Sequence, residues 1–262
     1  MDILVCVKHV PETAEADLRI ASTGTAIEES GLVYDINEWD DYALEEAVQI
    51  KEKLGGSVTA VTVGPQDADS TLRKCLARGA DKAIRLTDPK IEGSDSYAMA
   101  KILQNAVKDL PYNLILTGAL AGDDGYTATG PILATLLGIP HITMVKKIEL
   151  GDGVAKVHRE LEGGLEAVFE MTLPALMTIQ TGINEPRYVS IMGIRKAMQK
   201  EIKVLSLADL GLDENEVGET GSWIHVEKMF IPPVEKEAEF LKGPPEELAT
   251  KVAEILKARG LM

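Results

Sequence analysis

Asn113–Gly138 reads NLILTGALAGDDGYTATGPILATLLG, and three textures follow one another within it. Asn113 to Thr117 is a short apolar run bounded by Gly118, which suits a buried strand. Gly118 to Gly130 is small and polar, and Pro131 then opens the helix-spaced apolar segment Ile132 to Leu137. The order strand, loop, helix places the loop at the carboxyl end of a parallel sheet. There the free N–H groups and dipole of the helix start favour a bound phosphate. The Thr127 and Thr129 hydroxyls can join those amides, Gly125 and Gly130 let the backbone approach closely, and the Asp123 and Asp124 carboxylates can accept from ribose hydroxyls. The loop is neither G-x-G-x-x-G nor a Walker loop, so an ordinary βα turn with capping Asp and Thr stays open.

Working outward, Ile3 to Val7 reads as a first buried strand, and Lys8 to Glu12 turns out of it at a usual ligand edge. Thr13 to Ser30 is polar and reads as a β-hairpin or meander turning at Ser22-Thr23-Gly24-Thr25. Tyr42 to Leu54 is an amphipathic helix with Asn37 or Asp40 placed to cap it. Ser57 to Val63 is a second strand ended by Gly64-Pro65, Asp67 to Gly79 a helix, and Lys82 to Leu86 a third strand. Ser94 or Asp95 can cap the next helix, Tyr97 to Val107. Four strand-to-helix units predict an α/β fold with a doubly wound parallel sheet covered on both faces.

Beyond Pro140 the pattern changes. Ile142–Leu150, Val154–Leu161, Leu165–Thr172 and Ala175–Thr181 are β-branched or alternating runs separated by Gly151-Asp152-Gly153, Glu162-Gly163-Gly164 and Pro174. They predict an antiparallel β-meander extending the sheet. Ile191 to Lys203 reads as a basic helix, a solvated face or a docking element. From residue 205 to 262 no strand alternation returns. That tail carries Trp223, Met229, Phe230 and a final helix over Glu246–Arg259, and it either packs back on the domain or reaches to another chain. The expected domains are therefore 1–204, an α/β nucleotide-binding unit, and 205–262, a C-terminal arm.

The chain has 262 residues, 45% of them hydrophobic, enough for a real core. A net charge of −15 with no basic block argues against nucleic acid. Cys6 and Cys75 are distant and in apolar settings, so a disulfide framework is not expected. No run reaches bilayer length and the start shows no signal-like pattern, so a cytoplasmic protein without membrane insertion is expected. His9, His141, His158 and His225 lack metal-ligand spacing, and G-x-S-x-G and H-E-x-x-H are absent, so no catalytic or metal residue is assigned. Glu160, Glu162 and Glu166 flank a Gly-Gly turn and read as exposed rather than as paired catalytic carboxylates. A nucleotide-sized loop without nucleophile, base or metal points to binding, or to electron transfer by a cofactor that carries its own chemistry.

Val157-x-Arg159-Glu160, Gly163-Gly164-Leu165-Glu166, Leu173-Pro174-Ala175, and above all Asn184-Glu185-Pro186-Arg187-Tyr188 followed by Ala197-x-x-Lys200, closely resemble the signature of the electron-transfer flavoprotein β subunit. The N-terminal ILVCVKHVPET, Asn37 to Ala47, Gly64-Pro65, Arg78 to Asp81 and the opening loop fall in register with it, so the resemblance covers the whole chain.

The resemblance implies a flavodoxin-like or adenine-nucleotide α-hydrolase-like domain in a heterodimer with an α subunit, which the C-terminal arm embraces. It implies FAD held mainly by the α subunit, and electrons shuttled between an acyl-CoA dehydrogenase-type flavoenzyme and a downstream acceptor. It further implies that this chain buries AMP or, in an electron-bifurcating branch that oxidises NADH, a second FAD. Carried over by position, the nucleotide contacts are Cys6, Asn37, Trp39, Asp40, Val63, Ala121, Asp123, Asp124, Gly125, Thr127, Ala128, Thr129 and Gly130, with Trp39 also near the interface. Ile191 takes the place of an apolar docking anchor, followed by Arg195, Lys196 and Lys200. The bifurcating branch usually reads D-G-D-T-A-Q-V-G-P, where this chain has Asp123 to Pro131 with Tyr126 in place of a small residue. Tyr126 favours AMP, whereas Val10-Pro11-Glu12-Thr13 and Asp40 resemble the bifurcating proteins.

Overall fold

Ile3, Leu4 and Val5 are each almost wholly buried because β1 (Asp2–Cys6) is an interior strand of the sheet. The computed structural model describes residues 1–14, 16–233 and 238–262. Glu15, inside the expected hairpin, and residues 234–237, inside the expected arm, lie outside the described residues. After β1 come β2 (His9–Pro11), β3 (Tyr34–Ile36), α1 (Glu38–Leu54), β4 (Ser57–Val63), α2 (Asp69–Arg78), β5 (Lys82–Leu86), α3 (Ser96–Val107), β6 (Leu114–Gly118) and α4 (Thr129–Leu137). The second half holds β7 (His141–Leu150), β8 (Val154–Glu160), β9 (Glu166–Thr172), β10 (Ala175–Ile179), α5 (Ile191–Gln199), β11 (Ile202–Leu205), α6 (Leu207–Leu210), α7 (Gly218–Gly221) and α8 (Pro245–Ala258).

The main sheet runs β11-β5-β4-β1-β6-β10-β7-β8-β9. It is parallel from β11 through β7, and β8 and β9 add antiparallel. Alternation divides the core into two layers. Ile3, Val5, Leu114 and Leu116 meet α1 and α2 on one face, and Leu4, Ile115 and Leu176 meet α3 and α4 on the other. The fold is a doubly wound α/β sheet. The chain leaves β1 toward β4 and β5, then crosses back through α3 to β6 on the other side. The switch point therefore falls between β1 and β6, where a crevice opens at their carboxyl ends.

Two readings are corrected. Ala175–Thr181 is not the fourth strand of a meander. β10 returns to the sheet interior and lies parallel between β6 and β7, buried along its whole length, as a continuous apolar run with no polar face should be. Ile191–Lys203 is not one helix. α5 stops at Gln199, and residues 202–205 form an edge strand on β5. Within 205–222, Leu207, Leu210 and Val217 pack into the core over α3. The Thr13–Ser30 region makes a short hairpin contact, Ile20 opposite Ile27, and β2 pairs with β3 in a small separate sheet.

Two buried carboxylates on α1 position the crevice. Asp40 accepts from the amide of Lys8, after β1, at 2.7 Å and from the amide of Gly118, ending β6, at 2.7 Å. It thus spans the switch point. Glu45 accepts from the Arg187 guanidinium at 2.9 and 3.0 Å, and Arg187 also holds Glu52. Asn184 donates to the Tyr42 carbonyl and to Glu46. The Asn184–Tyr188 block thereby straps the chain after β10 onto α1.

Burial raises the Glu45 carboxyl, but the Arg187 bonds outweigh it and hold Glu45 below its usual value. Its side chain is only 4% exposed, so Arg187→Met would strand a buried charge. Arg187→Met is expected to lower unfolding free energy in urea by about 3–5 kcal/mol at neutral pH. The loss should shrink as acid protonates Glu45, since a depressed pKa stabilises only above it.

Asp40 behaves oppositely: burial pushes its carboxyl up to about 7 against the pull of its N–H donors. A raised folded pKa stabilises most below the unfolded value, and that contribution fades as pH rises from about 4 through about 7. Asp40→Asn sets an amide N–H against a backbone N–H and should cost about 1–3 kcal/mol. Denaturant titrations should show a larger cost at about pH 5 than at about pH 8; the reverse trend would refute a buried, uphill carboxyl.

Candidate functional site

The crevice between β1 and β6 is a cavity of about 190 Å³. Its floor is the strand ends, Cys6, Val7, Thr117 and Gly118; one wall is the turn Ser94–Ser96 with Met99 and Leu103; the other is the loop 119–128 and the start of α4. Val61 and Val63 close it from β4.

The floor exists because Gly118 has no side chain. A Cβ there would lie 2.5 Å from Asp40 Oδ1 and 2.6 Å from Trp39 Cβ, so only glycine lets β6 end against α1. Gly130 plays the same part at the helix start, where a Cβ would lie 2.8 Å from Thr178 Cγ2 and 2.9 Å from Thr117 Oγ1. No side chain caps α4 at Ala128. Its first amides, on Thr129 and Gly130, have no intrahelical partner, and both residues line the cavity.

The loop is tied down at both ends of its first half. Asn37, expected as a cap, makes no cap bond. Its amide instead donates to the Leu120 carbonyl at 2.8 Å and accepts from the Gly122 amide at 3.1 Å. Farther on, Lys8 Nζ lies 2.7 Å from both Asp123 and Asp124. Burial lowers the Lys8 pKa, but the bonds to these carboxylates overcome it and set the ammonium above its ordinary value. Thr127 is left-handed at φ 54°, a conformation disfavoured for a β-branched residue and common where a loop serves a site.

Of the residues assigned by position, Cys6, Asp40, Val63, Ala121, Asp124, Thr127, Ala128, Thr129 and Gly130 line the cavity. Asn37, Asp123 and Gly125 shape the loop from behind. Trp39 points elsewhere, donating from Nε1 to Gln180 at 3.0 Å. Burial, with the neighbouring Asp40 carboxylate, pushes the Cys6 thiol up to about 12, so Cys6 serves as an apolar wall and not as a thiolate.

Lys8, Ser94, Asp95, Ser96, Met99 and Thr178 were not assigned from sequence. Lys8 had a signal, its place just after β1; Met99 and Thr178 had none, because α3 and β10 reach the cavity only through the sheet crossing. Asp95 caps α3 through Tyr97 and Ala98, and accepts from the amides of Trp223 and Ile224. Burial opposes its charge, but these donors hold its carboxyl below the ordinary value.

A second surface lies on α5. Arg73 donates to the carbonyls of Ala197 and Lys200, and Gly193 sits against the Ala77 carbonyl. With α5 held on α2 this way, Ile191, Met192, Ile194 and Met198 are left exposed. Arg195 and Lys196 are exposed beside them, whereas Lys200 turns inward and donates to the Ala80 carbonyl at 2.7 Å. Among the described residues no helix is long and apolar enough to cross a membrane.

The family model described as Electron transfer flavoprotein domain matches residues 24–210. The chain is 41% identical over 260 residues to the electron transfer flavoprotein subunit beta of Methylophilus methylotrophus, covering 98% of both chains. It is 40% identical over 260 residues to the same subunit of Thermoanaerobacterium thermosaccharolyticum, covering 99% of both. It is also 38% identical over 245 residues to the caffeyl-CoA reductase-Etf complex subunit CarD of Acetobacterium woodii, covering 93% of this chain and 92% of the relative. With the family match and the near full-length identity agreeing, the chain belongs to the electron transfer flavoprotein family, as a β subunit.

Proposed function

We propose that this chain is the β half of a heterodimeric electron carrier and binds AMP in the β1/β6 crevice. The observation that carries this reading is the uncapped start of α4, opening onto a cavity at the topological switch point. The residues present fit the ligand. The amides of Thr129 and Gly130, with the hydroxyls of Thr127 and Thr129, would hold the phosphate. Cys6, Val63, Met99 and Leu103 offer an apolar wall to the adenine. Tyr126 in its wall supports a mononucleotide over a second FAD.

FAD, shared with an α subunit, supplies the redox chemistry when bound. The residues of this chain shape the cleft, keep the nucleotide loop in place and present α5 to the electron donor, an acyl-CoA dehydrogenase-type flavoenzyme. Exposed Trp223, Phe230 and Phe240 suit the segment after Ser222 to contact with the α subunit.

Co-purification with the α subunit and acid release should give about one FAD and about one AMP per heterodimer. About two FAD and no AMP would replace AMP with a second flavin and bring NADH oxidation into the mechanism. Gly130→Ala should lower AMP occupancy about tenfold or more at limiting nucleotide, through the Thr117 and Thr178 contacts. Wild-type occupancy in this variant would remove α4 from the site.

Ile191→Ala should reduce the rate of reduction by the dehydrogenase about tenfold with flavin content unchanged, as for a central apolar anchor. An unchanged rate would move the docking surface off α5.

A further inference from the structure

The loop 119–128 forms the outer wall of the crevice, and its two halves are held by different physics. The first half is fixed to the protein interior. Asn37 is 1% exposed and bonds Leu120 and Gly122 through one amide side chain. These part-buried bonds join neutral groups, so salt has little hold on them. The second half carries Asp124, Tyr126 and Thr127 into the wall, and its tie to the rest of the fold is Lys8. The ammonium meets Asp123 and Asp124 at 2.7 Å each, with side-chain exposures of 39%, 28% and 35%.

The base of this contact does not move easily. The Lys8 amide donates to Asp40 and the Lys8 carbonyl accepts from the Asn37 amide at 2.9 Å. The lysine backbone is therefore pinned at the switch point while its side chain reaches over the crevice. The loop also contains the means to swing. Gly125 and Thr127 are both left-handed, at φ 65° and 54°, and the turn bonds Gly125 to Ala121 and Tyr126 to Asp124 are local to the loop. The Tyr126–Asp124 bond lies within the segment and travels with it, while the Gly125–Ala121 bond joins the segment to the Asn37-held half and marks the hinge about which it opens.

We propose that Lys8 is a positioning residue that latches residues 123–127 over the nucleotide, so that ligand exchange proceeds by breaking the Lys8–Asp123/Asp124 pairs while the Asn37-held half stays in place. This rests on the reading of the crevice as a nucleotide site. It adds to that reading a gate, a specific lysine and a dependence on ionic strength. Exposed ion pairs are screened by salt, whereas the Asn37 bonds are not. The lysine needs only its charge and reach, so arginine should replace it and methionine, of similar length but neutral, should not.

The test is release of radiolabelled AMP from the purified heterodimer into excess unlabelled AMP. Lys8→Met should release about five- to thirty-fold faster than wild type, and Lys8→Arg should stay within about twofold. Raising salt from about 50 mM to about 500 mM should speed wild-type release but leave Lys8→Met unchanged. Equal release rates for wild type and Lys8→Met, or an identical salt response, would overturn the latch. Hydrogen exchange separates this from the nucleotide reading. In Lys8→Met the amides of 123–127 should exchange faster while those of α4 keep wild-type protection. Unchanged loop exchange sinks the latch even if AMP is bound. Faster loop exchange in a heterodimer that binds no AMP keeps the latch and rejects the nucleotide.

Discussion

At the switch point two parallel strands part, and the amides at their carboxyl ends lose the neighbours that would pair them. A buried amide without an acceptor is costly, so a doubly wound sheet must supply acceptors where its ligand crevice opens. Here one carboxylate serves both strands: the oxygens of Asp40 take the amides of Lys8 and Gly118. The arrangement demands glycine at 118 and a helix whose first turn lies over the gap. It also explains why Asn37 is not a cap. One turn of α1 serves the sheet through Asp40 and the loop through Asn37, so the helix start is a platform for the site. Arg187 and Asn184, in the connection after β10, then hold α1 from its other side. The most specific part of the sequence thus acts at a distance from the crevice, through α1.

The parallel half was legible because its strands are short β-branched runs with glycine or proline stops, and its helices carry one apolar stripe. β4, β5 and α3 fall where periodicity puts them. The errors share a cause. Ala175–Ile179 has no polar face, the mark of a strand covered on both sides, but in sequence it directly follows hairpin strands across a Pro174 break, so its place beside β6 is not visible there. Ile202–Leu205 is four residues on a sheet edge, half exposed, and its composition cannot be told from the end of the preceding basic helix. Pairing with β5 decides it, and pairing is not written in a window of four residues.

The site divides along the same line. That Gly118–Gly130 is a loop bordering a crevice at the sheet's carboxyl end could be read from its texture and its place between strand and helix. Which residues line the cavity and which brace it could not. Asp123 and Asp124 are adjacent acids, equally suited on paper to a ribose; the structure gives them to a lysine more than a hundred residues away in sequence. Contacts that join β1, α1 and the loop arise only once the crossover through α3 brings β6 beside β1.

The chain carries a net negative charge, yet its exposed large apolar residues cluster on the β8–β9 hairpin, on α5 and after Ser222. Dispersion of such residues is ordinary and clustering is not. From Trp223 to Pro233 the backbone forms neither helix nor strand, so its peptide groups find little within the chain; one bond, from the Met229 amide to the Gly24 carbonyl, ties it to the hairpin. An extended segment with Trp223, Ile224, Phe230 and Ile231 exposed gains little by folding alone, because it buries almost no apolar area to offset the entropy of ordering it. Its root is nonetheless firm. Tyr97 stacks on Trp223 with ring centroids 4.5 Å apart, and Asp95 takes the first two amides of the segment with the same carboxylate that caps α3. Asp95 also lines the crevice, so the segment after Ser222 leaves the domain from the crevice wall, and its direction is set there.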